Sequence, residues 1–184
     1  MMTNQNIYWT LLEHNQWNLY IASTDKGLCY VSGNNQSFQE FMNWKNKHLN
    51  KNIIQQNDEK NKNYINQLIE YLDGTRQQFD IPIDVYGTDF QKKVWLTLCQ
   101  VSYSHLSTYS EVAKKIGSER AVRAVGTAIG ANPILIVVPC HRIIGKNGTL
   151  TGYRGGLDMK QQLLKLEGTI EYNKNYRLKI KNNI

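Results

Sequence analysis

The chain has 184 residues and a net charge of +7, long enough for one large domain or two small ones with a real core. Its three cysteines, Cys29, Cys99 and Cys140, are widely spaced with no CxxC pair, which excludes a legible disulfide framework or four-ligand zinc site and fits a reducing cytosol. No apolar stretch is long enough to cross a membrane, and residues 1–5 lack the charged and apolar regions of a secretion signal, so a cytoplasmic protein without a membrane partner is expected.

Residues 7–12, 17–22 and 28–31 read as short strands. The turns His14-Asn15-Gln16 and Asp25-Lys26-Gly27 between them predict an antiparallel meander. Phe38, Phe41, Met42 and Leu49 predict a helix. The Asn- and Lys-rich stretch 43–63 reads as partly loop. Tyr64, Leu68, Ile69 and Leu72 predict a second helix, with Gly74 as its stop signal. Residues 79–83 form a short extended link. His14, Cys29 and His48 are too scattered to claim as metal ligands. Nothing in this half carries a chemical pattern, and its expected role is a scaffold.

The second half is richer in helix. Thr88-Asp89-Phe90-Gln91 is a capping box, followed at helical spacing by Phe90, Val94, Trp95 and Leu98, with Cys99 expected in the core at the edge of that face. Thr108-Tyr109-Ser110-Glu111 is a second capping box, opening a helix that runs through Ile116 to a left-handed stop at Gly117. Ser118 is expected to cap a helix over 119–129 that carries the small residues Ala121, Ala124, Gly126 and Ala128. Two short helices around a glycine turn read as a helix-turn-helix, a pattern that helical hairpins without DNA share. Charge follows the same division. Up to Asp84 there are nine acidic and seven basic residues; beyond it, fifteen basic and six acidic. A polyanion such as nucleic acid is the natural partner of the basic half.

The β-branched run Ile134-Leu135-Ile136-Val137-Val138 reads as a buried strand that Pro139 ends. Cys140 and His141 follow at once, a thiol and a potential base where the chain leaves the core. A buried structural cysteine beside a surface histidine fits the tetrapeptide equally well.

Several motifs recur in a family-like order: 108–113, 120–126, Asn132-Pro133, the run 136–144 that contains Pro139-Cys140-His141-Arg142, 152–157, and Leu163-Leu164 leading to Glu167-Gly168. Over residues 89–168 the chain resembles the O6-alkylguanine-DNA alkyltransferases, also called methylated-DNA–protein-cysteine methyltransferases. The resemblance implies an α+β protein with an N-terminal α/β domain on an antiparallel sheet (1–84). It implies a mostly helical, winged-helix-like domain (85–170) that carries the active-site cysteine. Beyond it, Lys174, Arg177, Lys179 and Lys181 read as a solvated basic tail (171–184). Cys29, without partners, gives no support for the zinc site that some members carry.

The implied activity is direct-reversal repair. The alkyl group of O6-alkylguanine in double-stranded DNA, and of O4-alkylthymine by extension, moves irreversibly to Cys140 in a single turnover, with no cofactor and with the protein acting as a monomer. Displacement at carbon needs a soft nucleophile, and a thiolate is the best side chain available. A free cysteine titrates near about 8.5, so a base is required. The resemblance assigns that role to His141, through a water, with Glu167 orienting the imidazole. The target base must leave the stack before it can react. By the same resemblance Arg123 fills the vacancy, while Tyr109 crowds the target's phosphate and bonds the extruded base. Ala124 and Ala128 let the helix approach the minor groove, whose sparse sequence information suits lesion search in any context. The carbonyls of Cys140 and Ile143 accept the guanine amino group, and Tyr153 and the amide of Arg154 cover the base edge and its O6. Asn132 supports the turn that feeds the active site. Two readings from other classes stay open on the residues: a DNA-binding protein that only flags lesions, against which Cys140 argues, and a Cys-His hydrolase, for which no oxyanion motif speaks.

Overall fold

Strand β1 (Ile7–His14) buries alternate residues, the period-two pattern of a half-covered sheet. In the computed structural model, which describes residues 6–170, it pairs antiparallel with β2 (Trp17–Thr24) from Tyr8↔Ser23 to His14↔Trp17. Asn15, at φ +50°, makes the tight turn between them. Strand β3 (Gly27–Val31) pairs antiparallel with β2, past a bulge at Ala22/Ser23. Gly27 is required by close approach, since a Cβ there would lie 2.6 Å from the Pro82 carbonyl oxygen. In the link 79–83, Ile81 lies in a bend and Ile83 bridges Leu28 in parallel.

The predicted meander is therefore present, and a fourth strand that the sequence did not suggest joins it. β4 (Ile54–Gln56) lies parallel to β1, giving the order β3-β2-β1-β4. It falls inside the Asn/Lys-rich stretch that reads as partly loop. Helix α1 (Phe38–His48) lays Phe41 into the core beside Ile7, Ala22, Cys29 and Tyr30, with Trp9, Tyr20 and Trp44 around them. Helix α2 (Asp58–Leu72) begins six residues before Tyr64, the first residue of its apolar pattern. Asn57 caps it by accepting from the Lys60 N–H, and the fully buried Asn61 anchors its first turns. Asn61 accepts from Ser23 Oγ at 2.9 Å and donates to the Tyr8 carbonyl at 3.2 Å. A polar side chain thus does the burying there, and an apolar periodicity cannot reveal it. These elements, residues 6–87, form one unit together with Pro133–Leu135. Ile134 bridges Val31, whose N–H donates to the Pro133 carbonyl at 2.9 Å.

The second unit comprises residues 88–132 and 136–170 among the described residues. Helix α3 (Asp89–Leu98) starts at a complete Thr88/Gln91 capping box and buries Val94, Trp95 and Leu98. Trp95 Nε1 donates to the Ala128 carbonyl at 2.8 Å. Cys99 is exposed at the end of α3, not in the core as expected, because the helix stops one residue before it. Strand β5 (Ser107–Thr108) leads into α4 (Tyr109–Lys115), opened by a complete Thr108/Glu111 box. Gly117 takes φ +71° at the turn. The next helix is not continuous over 119–129. A 3₁₀ turn at Glu119–Ala121 precedes α5 (Val122–Gly130), and the Ser118 side chain makes no capping bond. Its carbonyl accepts from the Ala121 N–H instead, and this tighter i+3 bond selects the 3₁₀ turn.

The predicted strand at 134–138 is also absent. Ile134 forms its single bridge, and the chain then turns, with Ile136 at φ +70°. All but Val137 are buried, so the β-branched run reflects burial and not a strand ladder. Residues 140–142 form a 3₁₀ turn; strand β6 (Ile143–Ile144) pairs parallel with β5, and α6 (Leu157–Leu166) closes the unit. The whole is an α+β fold, with the thiol of Cys140 in the helical unit. The basic tail expected at 171–184 lies outside the described residues.

Candidate active site

A left-handed Ile136 is costly for a β-branched residue, about 1–3 kcal/mol, and persists only where its surroundings hold it. Asn132, fully buried, supplies that hold. Its Nδ2 donates to the Val138 carbonyl and to Cys140 Sγ, both at 3.0 Å. One amide thus spans the turn and fixes the thiol at its end. The Asn132 carbonyl in turn accepts from Arg154 Nε at 2.9 Å.

Cys140 and His141 are both buried. His141 Nε2 lies 2.9 Å from Glu167 Oε1. Glu167 sits at the C-cap of α6 and is 3% exposed, far from the surface residue its helix-terminal position suggests. Arg142 explains how a carboxylate survives there. Its guanidinium approaches both Glu167 oxygens, with Nη2–Oε1 at 2.8 Å, Nε–Oε1 at 3.0 Å and Nε–Oε2 at 3.1 Å, while Nη1 donates to the Val101 carbonyl. The Ser104 N–H donates to Glu167 Oε2 at 3.3 Å, and the Ser104 hydroxyl donates to the Glu167 carbonyl.

The electrostatics follow from this packing. Burial works to raise the Glu167 carboxyl, but the hydrogen bonds and charges of His141 and Arg142 outweigh it and bring it down to about 2. Burial pushes His141 below the usual imidazole range, and Glu167 only partly opposes that. Burial raises the Cys140 thiol, opposed by the Asn132 bond and by the charges of Lys160 and Arg154. At neutral pH the resting site therefore holds a thiol, a neutral imidazole and a carboxylate neutralised by Arg142. Because Nε2 carries the proton that Glu167 accepts, Nδ1 is the basic nitrogen.

Tyr109, Tyr153 and Arg154 line one cavity of about 530 Å³, with Gly126, Thr151 and Gly152 also in its wall. That volume lies within the range of small-molecule sites, about 300–1,000 Å³. Thr151 Oγ1 donates to the Tyr109 hydroxyl at 3.1 Å. A Cβ at Gly126 would stand 3.7 Å from the Tyr109 ring, in ordinary van der Waals contact. Tyr153 meets the His141 ring edge-on, centroids 6.5 Å apart. Ile143 is buried, and its carbonyl takes the Lys160 ammonium. Arg123 and Ala124 are exposed on α5. Ala128, expected beside Ala124 at the DNA-facing helix, is 2% exposed, and its carbonyl accepts from Trp95 Nε1.

Sequence reasoning overlooked the side chains of Arg142, Lys160 and Arg154. It carried over only the Arg154 amide, whereas the guanidinium grips the Asn132 carbonyl. A charged residue reads as solvated unless its partner is visible, and these partners lie 22 to 41 residues away or are main-chain carbonyls. Among the described residues no group of three or more His, Cys, Asp or Glu side chains is placed to hold a metal.

Two family models match. Residues 89–169 fit the 6-O-methylguanine DNA methyltransferase DNA-binding domain, and residues 7–85 fit the ribonuclease-like domain of the same proteins. The chain is 48% identical over 168 residues to the inducible methylated-DNA–protein-cysteine methyltransferase of Bacillus subtilis, covering 91% of this chain and 94% of that one. It is 42% identical to the Methanosarcina acetivorans methylated-DNA–protein-cysteine methyltransferase, covering 89% and 99%. Among solved structures, the Mycobacterium tuberculosis O6-methylguanine methyltransferase superposes with a TM-score of 0.73 at 34% identity, covering 88% of this chain and 92% of that one. A second M. tuberculosis structure, in complex with DNA, gives the same TM-score and identity, covering 87% and 92%.

Proposed function

The chain belongs to the 6-O-methylguanine DNA methyltransferase family, and from that premise we propose that Cys140 is both nucleophile and permanent alkyl acceptor, with His141 as its base. The protein is a methylated-DNA–protein-cysteine methyltransferase acting in direct-reversal DNA repair. The observation that carries the residue assignment is the buried array of Asn132, Cys140, His141, Glu167 and Arg142.

His141 Nδ1 takes the Cys140 proton through a water, and Glu167 stabilises the imidazolium that forms. The thiolate attacks the alkyl carbon. The Sγ–C bond forms as the C–O6 bond breaks, and the electron pair departs on guanine, which takes up the proton His141 had removed. Nothing in the array would cleave a thioether, so each molecule acts once. The target base enters the cavity between Tyr109, Tyr153 and Arg154, where the Arg154 amide faces O6 and the Cys140 and Ile143 carbonyls accept the amino group. Arg123 and Ala124, exposed on α5, face the minor groove, and Arg123 fills the vacated stack. The substrate is double-stranded DNA, engaged by one protein molecule in the cytoplasm. O4-alkylthymine reacts by the same displacement, residues 1–84 serve as scaffold, and 85–170 bind DNA and accept the alkyl group.

The test compares wild type with Cys140→Ser on duplex DNA carrying O6-methylguanine. Loss of transfer with retained duplex binding supports the assignment. Undiminished transfer by Cys140→Ser would refute it.

A further inference from the structure

The last carbonyls of a helix have no partners within it. At the end of α6 a glycine turn meets three of them. The Glu167 N–H bonds the Leu163 carbonyl at 3.0 Å, the Gly168 N–H that of Lys165 at 2.9 Å and the Thr169 N–H that of Leu164 at 3.0 Å, with Gly168 at φ +70°. The carbonyls of Leu166 and Glu167 fall outside that motif, and the loop before β5 meets both. The Tyr103 hydroxyl donates to the Leu166 carbonyl at 3.2 Å, and the Ser104 hydroxyl donates to the Glu167 carbonyl. Ser104 does more than close the helix. Its N–H also reaches Glu167 Oε2 at 3.3 Å, so one residue holds Glu167 by the main chain and by the carboxylate. It does so from the left-handed region, at φ +61°, a conformation that a serine keeps only where its surroundings hold it. The same loop holds the partner of Glu167. The Val101 carbonyl accepts from Arg142 Nη1, and the Tyr103 ring centre lies 5.8 Å from the guanidinium carbon.

We propose that Ser104 is a positioning residue for alkyl transfer, fixing Glu167 at both ends so that Oε1 stays on His141 Nε2. The inference rests on the alkyl-transfer reading above. A neutral imidazole can take the thiol proton at Nδ1 only in the tautomer that carries its own proton on Nε2, and the bond to Glu167 selects that tautomer. The same carboxylate must already be in place when the imidazolium forms, because a group that reorients during the reaction stabilises the developing charge less. Arg142 supplies Glu167 with charge. Ser104 supplies anchorage without adding charge, from a segment 63 residues away in sequence.

The test uses free O6-benzylguanine, so that duplex binding does not enter. Ser104→Gly removes the hydroxyl while suiting the left-handed backbone. Tyr103→Phe removes the neighbouring hydroxyl, which holds Leu166 and not Glu167, and is the control for helix closure alone. Ser104→Gly should lower the saturating rate of Cys140 benzylation roughly fivefold, the effect of about one lost hydrogen bond, with the half-saturating concentration unchanged. Tyr103→Phe should keep the wild-type rate. Ring ¹⁵N shifts of His141 at pH 7 should show the Nε2–H tautomer in wild type and in Tyr103→Phe, and a mixture of tautomers in Ser104→Gly. Either a wild-type rate or an unmixed tautomer in Ser104→Gly overturns the inference. So does a rate loss no larger than that of Tyr103→Phe, or one confined to the half-saturating concentration. Should Ser104→Gly not fold, Ser104→Ala removes the same hydroxyl and is read in the same way. Wild type that never alkylates Cys140 would instead sink the alkyl-transfer reading itself, before any variant is compared.

Discussion

A carboxylate at a helix C-terminus opposes the helix dipole, and a buried one also loses its hydration. Glu167 bears both costs because Arg142 supplies charge and donors and His141 a further donor. Removing one member of such a buried pair commonly costs about 3–5 kcal/mol, since the other is left uncompensated. Glu167→Gln should therefore lower the stability of the helical unit on the order of 3 kcal/mol, read from urea unfolding at pH 7, and slow transfer to duplex and free base alike. The pH dependence has a definite sign. Glu167 sits at about 2 when folded, against 4.5 ordinarily, so its stabilisation is complete above about 4.5 and lost as pH falls toward 2. His141, held below its usual 6.5, resists protonation when folded and adds to the acid sensitivity below that value. Urea midpoints measured from pH 7 down to 3 should fall steeply for wild type and less steeply for Glu167→Gln. Motif order singled out Cys140, His141, Glu167 and Asn132, and the fold brings them together. Arg142 and Lys160 were not singled out, because a buried charge is recognisable only once its distant partner is in place.

At the scale of elements, the helix starts were the most legible, since a capping box is a local reciprocal pattern. Both boxes, at Thr88 and Thr108, form as read. Thr108→Ala should cost about 1 kcal/mol by removing the acceptor for the Glu111 N–H. The change also frays the residue that presents Tyr109 to the cavity, so binding of free O6-benzylguanine should weaken along with stability. The segment 134–138 misled because burial and strand formation select the same side chains. Its turn is dictated instead by the Asn132 bonds and the left-handed Ile136, which no hydropathy pattern encodes. Helix α5 carries the clearest separation of roles. Arg123 is exposed there and far in sequence from the thiol. Arg123→Ala should depress repair of duplex DNA much more than reaction with free O6-benzylguanine. Equal losses on both substrates would remove it from base extrusion.

For the molecule as a whole, the uneven charge makes DNA affinity a salt-dependent quantity. Lys114 and Lys115 are exposed on α4, in the half holding fifteen of the 22 basic residues. If either touches a phosphate, replacing it with Gln should weaken binding to damaged and undamaged duplex by similar factors and lower the log–log salt slope by roughly one. On the proposed reading, in which the cavity takes the extruded base, discrimination between the two duplexes should survive. Most of the architecture was legible because each unit has its own pattern, strand alternation in the first and capped helices in the second. Strand β4 and the start of α2 were not, because polar bonds from Asn57 and Asn61 do there what apolar periodicity does elsewhere. The most direct measurement is intact-protein mass spectrometry with peptide mapping, after incubation with excess duplex containing O6-methylguanine. The expected result is a gain of one methyl per molecule, confined to the Cys140 peptide, with lesion loss stopping at one per protein. Sustained turnover of an unmodified protein, or methyl on Cys29 or Cys99, would contradict it.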